Sequence, residues 1–225
     1  MKSPLVSRAW RGHISVMRHH IFRFAVLSLL TLFGWSAYAQ GFSAQDKVDI
    51  QRVEQYFNGL TTVRSTFLQA SSTGNVAQGV FWLSRPGRLR FEYEAPSPIL
   101  ITADGLWLTY QDNELQQTTQ LPLNASPLGV LVDDKVVLGE DLVVETITRQ
   151  SNVLRLRLRQ RDDPEQGVVT LVFQDRPLSL KQWVIEDAQG VEVKVALLDP
   201  VFGLELPPTL WRPTDFGRQA DDVGR

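Results

Sequence analysis

Residues 79–96 read Gly79-Val-Phe81-Trp-Leu83-Ser-Arg85-Pro86-Gly-Arg88-Leu89-Arg-Phe91-Glu-Tyr93-Glu-Ala-Pro96. Two short alternating runs flank an Arg-Pro-Gly turn signal, the pattern of a β-hairpin. Side chains along a strand point to opposite faces in turn. Leu89, Phe91 and Tyr93 therefore share one face, and Arg88, Arg90, Glu92 and Glu94 share the other. Only one assignment keeps the charges in water, so the Leu-Phe-Tyr face is inside. In the preceding run Gly79, Phe81, Leu83 and Arg85 lie on one face, and Val80, Trp82 and Ser84 on the other. Parity thus turns Arg85 inward. A buried guanidinium is costly unless its donors find acceptors. Two readings stand: Arg85 turns to water at the strand end, or it sits at the mouth of an apolar interior and donates to the carbonyl end of a covering helix.

The period of two extends outward from this hairpin. Strands are expected at 63–69, 76–84, 88–95, 99–103 and 106–111, then at 142–149, 153–160, 168–174, 180–187 and 191–198. Turn chemistry such as Ser72-Thr-Gly-Asn75 and Asp187-Ala-Gln-Gly190 punctuates them. About ten or eleven strands at near-regular spacing predict a mainly β, antiparallel sandwich or barrel in one domain. In 153–160, Leu154, Leu156 and Leu158 alternate with Arg155, Arg157 and Arg159. The arginine ladder reads as a solvated face with acidic cross-strand partners, against a binding face for phospholipid headgroups.

Two helices interrupt the strands. Ser43 is placed to cap the first, with Asp46 in the capping-box position. Ile50, Val53, Phe57 and Leu60 form one apolar stripe, and Asn58-Gly59 ends it. The second is short, with Ser126 as N-cap, Pro127 as first helical residue, and Leu128 and Leu131 on one side. Helices able to lie across an open sheet suggest a lidded half-barrel. From Thr209 onward periodicity is lost.

The first 39 residues read as an export signal cleaved between Ala39 and Gln40. Arg18, His19, His20 and Arg23 form a basic flank, 24–33 is an apolar run, and Ala37-Tyr38-Ala39 supplies small residues. The run is shorter than the roughly 20 residues a spanning helix needs. Counted from Met17, the leader has the usual length of about 15–30 residues, which favours translation from Met17 over Met1.

The chain has 225 residues, 43% of them hydrophobic, with 23 basic, 25 acidic and no cysteine. The leader holds five of the basic residues and none of the acidic ones, so 40–225 carries −7. An acidic domain does not suit nucleic acid, whose binding uses basic groups to release counterions. All three histidines (His13, His19 and His20) lie in the leader. Without His or Cys, a Ser-His-Asp triad, a Cys-His pair and the usual zinc sites are excluded from the remainder. Glu92 and Glu94 share one outer face, whereas glycosidase carboxylates flank a sugar from opposite sides. No enzyme, catalytic residue, cofactor or metal ligand is expected. Absence of cysteine also leaves burial to hold the fold and leaves no lipid-bearing cysteine at the cleavage site.

The run Gly79-Val-Phe-Trp-Leu-Ser-Arg85-Pro86, then Arg88-Leu-Arg-Phe-Glu-Tyr-Glu-Ala-Pro96, then Leu100-Ile-Thr-Ala-Asp104-Gly105, resembles the LolA family of periplasmic lipoprotein carriers. Phe67-x-Gln69, the opening helix and Ser126-Pro127-Leu128 extend the likeness over most of 48–208. The resemblance implies an incompletely closed antiparallel β-barrel, a half-barrel of about 10–11 strands lined with apolar side chains under a lid of short helices. It implies lipoprotein acyl chains as cargo, received from an inner-membrane ABC lipoprotein-release complex. It also implies delivery to an outer-membrane acceptor lipoprotein by a monomeric periplasmic protein occupying 40–225.

Carried over residue by residue, the family's lid contact and transfer role falls on Arg85. The cavity wall falls on Phe81, Leu83, Leu89, Phe91, Tyr93, Ile99 and Ile101, and the lid on Ile50, Val53, Phe57, Leu128 and Leu131. The family's usual ending, an aromatic-x-aromatic run with Pro-Pro and then Gly, is replaced here by Leu204-Glu-Leu206-Pro-Pro208-Thr209. A lipocalin-like binder of small hydrophobic ligands, and a sensor or interaction module of the same fold, are the competing readings.

Overall fold

The computed structural model describes residues 41–216 except Pro127, Pro164 and Gln166. The expected leader and its cleavage site, Pro127 as a first helical residue, and the end of the chain lie outside the described residues. Helix α1 (Ala44–Gly59) opens the domain. Its start is the expected capping box: Ser43 Oγ accepts from Asp46 N at 3.1 Å, and the Asp46 carboxylate accepts from Ser43 N at 2.9 Å. Val53 and Phe57 are fully buried, while Ile50 sits half-buried at the flank of that stripe. Asp49, which lies between Val48 and Ile50 in the sequence, takes the remaining place on the buried face.

Strands β1 (Thr62–Ser71), β2 (Val76–Ser84), β3 (Arg88–Tyr93), β4 (Ile99–Asp104), β5 (Trp107–Asp112) and β6 (Gln117–Pro122) follow in hairpin succession. A 3-10 turn at Leu123–Ala125 and helix α2 (Gly129–Val132) lead to β7 (Leu142–Gln150), β8 (Val153–Gln160), β9 (Val168–Gln174), β10 (Ser179–Glu186) and β11 (Glu192–Phe202). Among the described residues these form one antiparallel sheet of eleven strands, ordered β6-β5-β4-β3-β2-β1-β11-β10-β9-β8-β7. Pairing of β1 with β11 joins the two halves in the middle. The free edges are β6 and β7, which are consecutive in the chain, so the sheet curls without closing. Residues 123–141 run from one edge to the other and carry α2.

Two expectations are corrected. Strand β6 was missed because it has no apolar alternation: five of its six residues are exposed. Ser126 does not cap α2. The chain first makes the 3-10 turn, Ser126 Oγ accepts from Leu128 N at 3.2 Å, and the helix begins only at Gly129.

One sheet face carries the core. Register sets Phe81 opposite Phe91, Leu83 opposite Leu89, and Phe91 opposite Ile101. Phe67 of β1 packs edge-on against Phe91 and Tyr93 with centroids 5.2 and 5.0 Å apart. This is why Gly79 stands in β2: a Cβ there would meet the Phe67 ring at 2.8 Å and the Glu92 carbonyl at 2.1 Å. The other half of the wall is Leu154, Leu156 and Leu158 of β8 with Leu171 and Phe173 of β9.

The opposite face is polar, as the alternation requires. Arg157 pairs with Glu145 at 3.1 Å and with Glu186 at 2.9 Å, and Arg159 pairs with Glu145. Glu92 pairs with Arg90 at 3.0 Å. One patch departs from this rule: Leu100, Thr102, Thr109 and Gln111 are buried on the outer side. The segment after β11 covers them. Trp211 is buried in a 3-10 turn at Pro208–Trp211, and Gln111 exchanges two hydrogen bonds with the Thr214 backbone, at 2.9 and 2.6 Å.

Candidate functional site

The concave face and its lid enclose an apolar cavity. From the lid come Tyr56, Phe57, Leu60 and Leu131; from the wall come Val63, Phe81, Leu83, Leu180, Trp183, Leu197 and Phe202. In the closed protein the free space is only about 10 Å³, room for roughly one water. The lid side chains themselves fill the interior. Any sizeable ligand must displace Phe57 and Leu131 to enter.

Of the expected wall residues, Phe81, Leu83, Leu89 and Phe91 are buried in the core, and Tyr93 and Ile101 pack half-buried against it. Ile99 shares their face but lies at the start of β4 opposite Asp112, outside the core. The Tyr93 hydroxyl donates to Gln69 at 2.7 Å, and burial, with Tyr110 nearby, pushes its pKa up to about 12. Of the expected lid residues, Val53, Phe57 and Leu131 are buried in the core, and Ile50 and Leu128 pack against it. Sequence reasoning missed Leu180, Trp183, Leu197 and Phe202. Register shifts break parity within both strands, between Leu180 and Gln182 of β10 and between Leu198 and Val201 of β11, so alternation does not carry these four residues to one face.

Arg85 joins the lid to the barrel. Its two terminal nitrogens donate separately, one to the carbonyl of Phe57 in the last turn of α1 and the other to that of Asp133 at the end of α2. The inward reading of Arg85 expected the carbonyl end of one covering helix, and the structure supplies two. The ends of helices carry unpaired carbonyls and partial negative charge, so one guanidinium serves both lid helices. The Arg85 Cζ also lies 5.7 Å from the Phe57 ring centroid. Gly87 N, in the same hairpin turn, donates to Val132 O at 2.7 Å. Burial lowers the Arg85 pKa from its ordinary value, opposed by the charges of Asp133 and Asp134.

The two parts of the lid are tied to each other. Asn58 exchanges two hydrogen bonds with the Val136 backbone, at 3.0 and 2.8 Å, and Leu138 N donates to Glu54 at 2.7 Å. The other half of α1 is held to the barrel by charge. Asp49 is 1% exposed and accepts from Arg52 and from Arg149, both at 2.7 Å; Arg52 also reaches Asp175 at 2.8 Å.

Burial pushes the Asp49 carboxyl up, but hydrogen bonds from Arg52, Arg149 and Gln45 outweigh it and hold the group below the usual carboxylate range. A carboxylate lowered in the folded state stabilises above its unfolded value of about 4, and that contribution is lost as pH falls through the folded value. The melting temperature should therefore be flat from pH 7 to 5 and drop below about pH 4. Asp49→Asn should cost about 2 kcal/mol at pH 7 and flatten the acid limb. Calorimetry across pH checks this, and an unchanged acid limb in the variant refutes it.

The fold and site define a class: an incompletely closed antiparallel half-barrel whose apolar interior lies under a latched helical lid. Residues 58–212 match the family model described as outer membrane lipoprotein carrier protein LolA, and the chain belongs to that family. The outer-membrane lipoprotein carrier protein of Azotobacter vinelandii is 26% identical over 202 residues, covering 84% of this chain and 90% of its own. That of Ralstonia nicotianae is 32% identical over 108 residues, covering 44% of this chain and 47%, about half, of its own length. The crystal structure of a LolA superfamily protein from Nitrosomonas europaea is 9% identical, with TM-score 0.42, over 73% of this chain and 97% of its own.

Proposed function

We propose that this protein works in the periplasm as a carrier that shelters the acyl chains of lipoproteins between the inner and outer membranes. The observation that supports it is the interior itself: a wall of apolar side chains closed by a lid whose two helices Arg85 latches together through backbone carbonyls. Each methylene buried from water is worth about 0.8 kcal/mol, so a chain of roughly 15 methylenes costs about 12 kcal/mol to expose. A lipoprotein with two or three such chains does not cross water unaided. A rigid open cavity would hold the chains but not release them. A lid that closes on its own interior competes with cargo and so favours release.

In this reading Arg85 is the latch, the concave residues of β2–β4 form the acyl wall, and α1 with the α2 segment forms the lid. Cargo comes from an inner-membrane ABC release complex and goes to an outer-membrane acceptor lipoprotein. No chemistry on the cargo is involved. Among the described residues no helix is long and apolar enough to cross a membrane.

The test is mass spectrometry of what co-purifies from the periplasm. Acylated lipoproteins, released only to acceptor-bearing membranes, are the expected result. Free fatty acids or pigments alone would favour a lipocalin-like binder.

A further inference from the structure

The cavity wall holds one polar atom that the closed protein leaves unsatisfied. Trp183 of β10 is 1% exposed and lines the cavity, and its indole Nε1 is buried with no hydrogen-bond partner. Its ring neighbours are Phe81 and Phe91, at 5.7 and 6.1 Å. The one hydroxyl among these lining side chains, on Tyr56, already accepts from Leu180 N at 3.2 Å. A water is a poor answer, because a buried water needs two to four polar partners and this lining is apolar. Indole N–H is a donor only, and leaving it unpaired carries a desolvation cost. A phenylalanine would line the wall without that cost. The protein's own groups thus leave this donor of the cavity wall without an acceptor.

Resting on the reading that acyl chains occupy this cavity, we propose that Trp183 Nε1 donates a hydrogen bond to the ester carbonyl of a bound acyl chain. An all-methylene chain offers no acceptor; an ester-linked chain offers one at its head. The donor therefore discriminates acyl from alkyl lipids and sets how deeply a chain seats. The chemistry is shared by diacylglyceryl lipopeptides and diester phospholipids.

The test measures affinity of the purified protein and of Trp183→Phe for three probes: a dioctanoylglyceryl-cysteine lipopeptide, its dioctyl ether counterpart, and dioctanoyl phosphatidylglycerol. The wild type should bind the ester lipopeptide roughly three- to tenfold tighter than the ether, the difference one net hydrogen bond makes. Trp183→Phe, whatever its overall affinity, should bind the ester and the ether equally well. Equal wild-type affinity for ester and ether overturns the proposal, as does a preference that survives in Trp183→Phe. Binding of neither lipopeptide by the wild type sinks the acyl-carrier reading itself. With the ester preference established, tighter binding of the lipopeptide than of the phospholipid assigns lipoprotein as the source, and equal binding assigns any diester lipid. The Trp183 indole N–H resonance should move downfield with ester ligands only.

Discussion

Arg85→Leu should retain bound lipoprotein and slow its transfer to acceptor membranes by a factor on the order of 100. The size follows from what the side chain does. It makes two charge-assisted hydrogen bonds, to Phe57 O and Asp133 O, that exist only when the lid is shut. Hydrogen bonds to charged groups are worth about 1.5–3 kcal/mol each, and partial exposure of this rim brings the pair to about 3 kcal/mol. In the proposed carrier role, closure and cargo compete for the same interior, since Phe57 and Leu131 line it. Weakening closure by about 3 kcal/mol raises apparent cargo affinity about 100-fold, because the competent open state no longer has to be won from the closed one. Release slows in proportion. Arg85→Lys keeps the charge but lacks the fork that spans two carbonyls, so its transfer rate should fall between the two. Loaded protein mixed with acceptor-bearing membranes gives the rate directly. Normal transfer by Arg85→Leu would show that the latch has no part in release.

The barrel was legible because one of its faces is wet. Alternation in 88–93 and 153–160 reports a half-buried strand without reference to anything distant, and charges such as Arg88 and Arg155 fix which side is out. Strand β6 carries no such contrast: Gln117 to Gln120 are polar on both faces at an open edge, so only pairing with β5 makes them a strand. The burial of Thr102 and Gln111 was invisible for the opposite reason. It depends on Trp211 and Thr214, a hundred residues away, folding back over the outer face. The latch lay between these cases. Parity turned Arg85 inward, but the choice of Phe57 O and Asp133 O depends on where two helices end. Helix α2 starts two residues later than its Ser-Pro signal suggests, because Ser126 closes the preceding 3-10 turn.

The second large effect separates the lid from the wall it covers. Phe57 is fully buried between Tyr56 and Phe173, with ring centroids 5.5 and 6.0 Å away, and it lines the cavity from the lid side. Phe67 is equally buried, but it belongs to β1 at the centre of the sheet. Truncating either to alanine costs about 3–5 kcal/mol, a large share of the roughly 5–15 kcal/mol that holds a domain. The two losses should fall on different equilibria. In Phe67→Ala the cavity opens beside Phe91 and Tyr93, within the sheet itself, and the unfolding midpoint should drop with no change in lid behaviour. In Phe57→Ala the lost contacts are between α1 and the barrel, which remains hydrogen-bonded strand to strand. The lid should open while the sheet signal in far-ultraviolet circular dichroism persists. The exposed wall should then bind a hydrophobic dye such as anilinonaphthalene sulfonate and take up lipopeptide faster than the wild type. If Phe57→Ala instead loses sheet and lid in one transition with no dye-binding plateau, α1 is part of the core and not a lid. With a cavity of about 10 Å³ when shut, the proposed carrier role would then have no route by which cargo enters.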